Sequence, residues 1–308
     1  MEQQKVTHFL HVPWTGLGNF QGFRGDRWYR NRIKVFKQFV IPSLVAQTNR
    51  NFILWCAFRF QEKSNPLTWE IKSALEDAGI KNVFTFSGIA FLDDKYSDDI
   101  ARSRLLDALH GSMGELINSM GDSETVYFTI QPSDDVYYSR AIESIHSAFR
   151  DSNLQAVGFR AGYVCDYKTL EVKEWNPTTN PPFFTIKFDR EVFIDPLKHF
   201  KYAAHKSHED VPTKFRYGIM DGRGYLVGVH GENISTVFNH PFTGQVCYDV
   251  LESFGLKDVE PLKIPTSIRK KVFRRMPFKA QKKLRYWAGE KKWILRPIFA
   301  YLYDTIRS

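Results

Sequence analysis

The chain has 308 residues, 43% hydrophobic and 15% aromatic, which is ample for one large α/β domain and excludes a disordered segment. Three widely spaced cysteines, Cys56, Cys165 and Cys247, exclude a disulfide framework and a clustered zinc site, and fit a reducing compartment. The net charge of +9 is unevenly placed: residues 262–308 hold fourteen Lys/Arg against two acids, so the tail is +12 and the body −3. The N-terminus has no apolar leader, and no run of about 18 apolar residues exists, so neither a signal peptide nor a spanning helix is expected.

Residues 6–12 read as a first buried strand, followed by the loop Pro13-Trp14-Thr15-Gly16-Leu17-Gly18, whose Gly-x-Gly lacks the spacing of a phosphate fingerprint. A helix is expected from Asp26, with Tyr29, Ile33, Phe36 and Val40 as its apolar stripe and Pro42 ending or kinking it. Residues 51–58 form a second strand, 67–78 an amphipathic helix stopped by Gly79, and 82–86 a third strand. The next helix, 98–119, carries Arg102 and Arg104 near its start. Cations there oppose the helix dipole, which points either to a ligand or to ordinary surface arginines.

The stretch 125–138 follows: an apolar run, then Pro132, Ser133, Asp134 and Asp135, then a helix through Ala141, Ile142, Ile145 and Phe149. Strand, acidic turn and helix together present carboxylates at a strand's C-terminal edge, where α/β sheets bind ligands. Two adjacent carboxylates suit Mg²⁺ or Mn²⁺, which would hold a nucleotide diphosphate. The alternative is a plain solvated turn. The first half alternates strand and helix four times, the signature of a mostly parallel sheet.

Beyond residue 155 the pattern changes. A hairpin is expected over 155–166 and 170–175, a loop over 176–182, and strands over 183–188 and 225–230, giving a mixed or antiparallel half. His199, His205 and the cluster His208-Glu209-Asp210 lie between the last two strands; His199, His205 and His240 are read as structural or acceptor-side residues. Trp175, Phe183 and Phe184 either floor a sugar site or belong to the core.

Asp134-Asp135 after the central strand, Glu209-Asp210 in the second half and His230 at a late strand end resemble, in order and spacing, the plan of GT-A glycosyltransferases. More narrowly, the chain is similar to a bacterial rhamnosyltransferase family in residues 41–55, in the Ser-Asp-Asp turn, in Gly158–Tyr163 and in Val229–Asn233. The likeness covers about residues 6–240. It implies a GT-A-like fold, with residues 1–155 as the nucleotide-sugar half, 156–261 as the acceptor and catalytic-base half, and 262–308 as a basic helical tail. It also implies Mn²⁺ or Mg²⁺ on Asp134, Asp135 and His230, and Asp210 as catalytic base with Glu209 in reserve. Arg102, Ser133, Asp134 and Trp14 fall on the nucleotide side. Pro132 departs from the family's Asp-x-Asp-Asp pattern: the first aspartate is missing, which weakens the metal site, shifts weight to His230, or abolishes activity.

The tail interleaves lysines and arginines with Ile268, Val272, Phe273, Trp287 and Trp293. Basic amphipathic helices with such residues belong at an anionic membrane surface, which is favoured here over nucleic acid. The expected protein is thus a metal-dependent, inverting glycosyltransferase. It takes a nucleotide-sugar donor to a glycan or glycolipid acceptor, and sits peripherally at the cytoplasmic face of a membrane. The alternatives are an inactive carbohydrate- or partner-binding module and a nucleic-acid-binding protein.

Overall fold

In the computed structural model, residues 5–16, 26–87, 98–150, 152–203, 208–231, 233 and 245–263 are described. The tail expected over 262–308 lies outside them apart from Leu262 and Lys263, as do His205 and His240. By internal contacts the chain divides into Met1–Leu262 and Lys263–Ser308.

The first half alternates as the periodicity predicts. Its strands are β1 (Val6–Pro13), β2 (Ile53–Phe58), β3 (Asn82–Phe86) and β4 (Thr125–Ile130). Between them run α1 (Asp26–Val35), α2 (Ile41–Val45), α3 (Pro66–Asp77) and α4 (Asp98–Met120). β1 pairs in parallel with both β2 and β4, and β2 in parallel with β3. Accordingly β1 is buried along nearly its whole length, while the edge strand β3 alternates between buried and half-buried positions.

Pro42 does not end the first helix. α1 passes through a π-turn, Phe36–Val40, into α2. Proline has no N–H to donate and its ring crowds the carbonyl four residues back; one widened turn accommodates both defects.

The second half adds β5 (Val136–Tyr137), α5 (Ala141–Phe149), β6 (Ala156–Asp166), β7 (Glu171–Trp175) and β8 (Phe184–Asp189). Then come α6 (Arg190–Ile194), α7 (Pro196–Ala203), α8 (Val211–Lys214), β9 (Tyr217–Val229), β10 (Gln245–Val246) and α9 (Tyr248–Ser253). β8 runs antiparallel to β4 and β6, and β6–β7 is the expected hairpin. The sheet order is β10-β7-β6-β8-β4-β1-β2-β3, with β9 paired to β5 and β6. The fold is therefore α/β, with a parallel first half and a mixed second half.

Two differences are informative. β9 begins eight residues before the expected strand and lies parallel to β6, with register shifts between Phe159 and Gly162. Its polar, glycine-rich centre Asp221-Gly222-Arg223-Gly224 has the composition of a turn; only pairing with β6 makes it a strand. The two-residue β5 interrupts the path from acidic turn to helix because Val136 and Tyr137 pair with Leu226 and Tyr225.

The core is centred on Phe9, Trp55, Leu116, Ile186, Phe188 and Phe193. Phe183 and Phe184, 1% and 3% exposed, are core residues, with Phe183 stacked 3.9 Å from Tyr225. His199 is also structural: its Nδ1 hydrogen bonds the Phe193 carbonyl at 3.0 Å among aromatic rings. Burial lowers its pKa to about 4 and that of His146 to about 4, and holds His8 well below its ordinary value.

These folded-state values lie below the unfolded value of 6.5, so on acidification the unfolded chain takes up protons first. The contribution of these histidines is therefore full above pH 6.5 and falls as the pH drops from 6.5 toward 4. His199 alone accounts for ~3 kcal/mol over that interval. Urea unfolding at a series of pH values, paired with an imidazole NMR titration, should show the loss while the His199 signal stays in its neutral form.

Candidate active site

After β1 the chain builds β2 and β3 on one side; β4 then returns to the other side of β1. The crevice beyond the C-terminal ends of β1 and β4 is thus the topological switch point, where open α/β sheets bind ligands. The acidic turn leaves β4 there. Gln131 closes it: its backbone N–H reaches the His11 carbonyl at 2.8 Å, and its amide donates to the carbonyls of Pro132 and Asp135 at 2.9 and 2.8 Å. From below, the Tyr167 hydroxyl donates to the Asp134 carbonyl at 3.1 Å, and the Tyr167 ring stacks on Phe39 from the π-turn at 3.6 Å. Gly228 passes so close that a Cβ there would overlap both the Tyr167 ring and the Asp134 carbonyl, so this position admits only glycine.

The two carboxylates behave differently. Asp135 Oδ1 turns back to accept the Gly228 N–H at 2.9 Å. Burial, then the neighbouring Asp134 charge, pushes its pKa well above the usual carboxylate range. Asp134 faces the crevice end of β9. Its Oδ2 forms an ion pair with Arg32 and lies 3.2 Å from His230 Nε2 and 3.3 Å from Asn233 Nδ2. Burial alone would raise this pKa, but the Arg32 charge and the His230 hydrogen bond outweigh it and bring it to about 2. An ionised carboxylate only accepts, so His230 Nε2 carries the hydrogen. Asn233 also fixes the histidine backbone, accepting the His230 N–H at 2.8 Å.

Arg32 is the residue that sequence reasoning missed. It is 4% exposed and lies 5.3 Å from the Trp28 ring centroid. A signal was present: Arg32 falls three residues after Tyr29 and four before Phe36, on the apolar stripe rather than the solvated face. Asn233 was equally readable only as part of a polar turn.

The expected metal ligands are brought together in part. Asp134 and His230 meet, but Asp135 points away into a backbone hydrogen bond. A carboxylate oxygen offers two lone pairs, and Asp134 Oδ2 already faces three donors. A dication on that oxygen would also adjoin the Arg32 guanidinium. Among the described residues, no group of three His, Cys, Asp or Glu side chains is arranged to hold a metal ion. This donor set does not fit Mn²⁺ or Mg²⁺.

Three donor-side expectations need correction or placement. Trp14 is 2% exposed and packed between Phe58, Phe36 and Tyr29. Its faces are committed to the core, so it is not a nucleotide platform. Arg102 is exposed on α4, and no described contact joins it to the acidic turn. Ser133 is half-buried within that turn.

His208, Glu209 and Asp210 form a short 3-10 turn before α8, with both acids exposed. Asn180 ties it down, donating to the His208 carbonyl at 3.0 Å and accepting from His208 Nδ1 and, at 2.9 Å, from the Tyr217 hydroxyl. Asn180 precedes β8, whose start lies beside the end of β4. The turn is thus anchored to the segment that leads into β8 beside the end of β4.

No protein-family model and no curated protein sequence matches the chain. Among solved structures it is similar to S. aureus TarS 1-349 in complex with UDP-GlcNAc, at 14% identity and a TM-score of 0.43, over 84% of this chain and 68% of that one. The same protein in complex with UDP matches at 12% identity and a TM-score of 0.38, over 83% and 67%. A 4-diphosphocytidyl-2C-methyl-D-erythritol synthase matches at 8% identity and 0.35, over 82% and 99%. Likenesses this distant carry no argument about the site, which stands on its own geometry.

Proposed function

We propose that this chain is a GT-A-type glycosyltransferase that moves a sugar from a nucleoside-diphosphate donor to a glycan or lipid-linked glycan. One observation carries the reading: a polar cluster around Asp134 lies at the switch point of the sheet; the exposed Glu209-Asp210 pair, anchored through Asn180 to the segment entering β8, supplies the candidate base. Cleaving the anomeric bond leaves charge on the diphosphate, which needs a cation, and the acceptor hydroxyl needs a base on the opposite face of the sugar. Asp210 is the base in this reading and Glu209 the reserve, with inversion as the outcome. Rhamnose is the sugar favoured by the sequence resemblance. The basic tail is the means of reaching a membrane-bound acceptor; among the described residues no helix is long and apolar enough to cross a membrane.

The test is saturation-transfer NMR of the full chain with UDP-, GDP- and dTDP-sugars in the presence of Mn²⁺, followed by assay of nucleoside diphosphate release. One nucleotide class should bind and be turned over slowly to the free diphosphate. If none binds to folded protein, the transferase reading fails. Binding without any release, even with candidate glycan acceptors added, would instead favour a non-catalytic sugar-nucleotide-binding domain, the reading to which Pro132 lends weight.

A further inference from the structure

We infer that Arg32, rather than a divalent cation, carries the positive charge that meets the donor's diphosphate, so that nucleotide binding at this site needs no metal ion. The inference rests on the proposed function for the identity of the ligand, and on independent geometry for the identity of the charge.

Three observations support it. First, the carboxylate oxygen that would anchor a metal is already occupied: Asp134 Oδ2 takes the Arg32 ion pair, His230 and Asn233 together. Its neighbour Asp135, the natural second ligand, has its Oδ1 engaged by the Gly228 N–H. Second, a carboxylate with a guanidinium has the same net charge as two carboxylates with a dication, so exchanging one set for the other keeps the net charge beside a phosphate the same. Third, Arg32 has donors to spare. It is 4% exposed, and no described residue accepts a hydrogen bond from its Nε–H.

A buried arginine donor without an acceptor is costly, and an anionic oxygen is the acceptor that best relieves it. The planar guanidinium suits the role. It binds a carboxylate on one edge and a phosphate on another, which an ammonium cannot do with the same fixed geometry. Asp134 then positions the guanidinium, with the Trp28 ring beside it. Pro132 fits the same arrangement: the aspartate that would complete a metal motif is absent from the turn, and the arginine makes it unnecessary.

The experiment is calorimetric titration of the full chain with UDP, GDP and dTDP, in EDTA and again in Mn²⁺, on wild type, Arg32→Gln and Arg32→Lys. The expected result is one nucleotide binding with affinities within about 3-fold in the two conditions. Arg32→Gln should weaken it by about 10–100-fold, the worth of a charge-assisted contact, and Arg32→Lys by less. The lysine variant keeps the charge beside Asp134 and serves if the glutamine variant does not fold. Binding in Mn²⁺ that vanishes in EDTA would overturn the inference while leaving the transferase reading standing. Absence of binding in both conditions would remove the reading on which the inference rests, and the inference with it.

Discussion

Arg32→Ala should destabilise the protein by about 3–5 kcal/mol, the usual cost of stranding one member of a buried ion pair. The pair is well removed from water, with side-chain exposures of 5% for Arg32 and 14% for Asp134. Without the guanidinium, Asp134 keeps His230 and Asn233 but loses the charge that holds its carboxyl at about 2. Burial then drives proton uptake, and packing of Trp28 over the arginine is lost as well. Urea denaturation at neutral pH measures the effect. The double variant Arg32→Met with Asp134→Asn should recover most of the loss, because a well-packed neutral replacement for a buried pair is often neutral or stabilising. A single-variant loss under ~1 kcal/mol would mean that the pair behaves as a surface bridge, open to water.

Asp210→Asn should lower turnover by about 10²–10⁴-fold, the range associated with general-base assistance, while leaving the fold intact. The side chain is exposed on a 3-10 turn whose backbone contacts, including the Thr213 hydroxyl at 2.8 Å on the Asp210 carbonyl, do not depend on the carboxylate. Thermal unfolding should shift far less than turnover does, since Asn keeps the shape of the exposed side chain and the backbone contacts of the turn. Nucleotide affinity should also hold, since the base acts on the acceptor rather than on the diphosphate. The loss should appear in kcat, and Glu209→Gln should cost less than about 10-fold, well below a full general-base effect. A larger loss in Glu209→Gln than in Asp210→Asn would exchange the two roles. Equal binding loss in both would make the cluster part of the donor site.

The alternation of strands and helices in the first half, the burial of β1 and the acidic turn at the end of β4 are legible in the order of residues. These are properties of local periodicity: a residue's face on a strand or helix follows from backbone geometry within a few positions. The family resemblance grouped Asp134, Asp135 and His230 as metal ligands; the fold brings Asp134 to His230 directly and ties Asp135 to the Gly228 N–H. The rest depends on contacts between segments far apart in the chain. Whether Trp14 meets a ligand or the core depends on Phe36 and Phe58, which periodicity does not bring to it. The glycine-rich centre of β9 becomes a strand only against β6, and Asn180 finds His208 only because β8 turns back beside β4. Above all, what Asp134 binds is set by Arg32, 102 residues earlier and carried by α1. An acidic turn offers carboxylates; its cation is chosen by whichever charge the fold carries within reach, because a charge removed from water must be matched in space rather than in sequence.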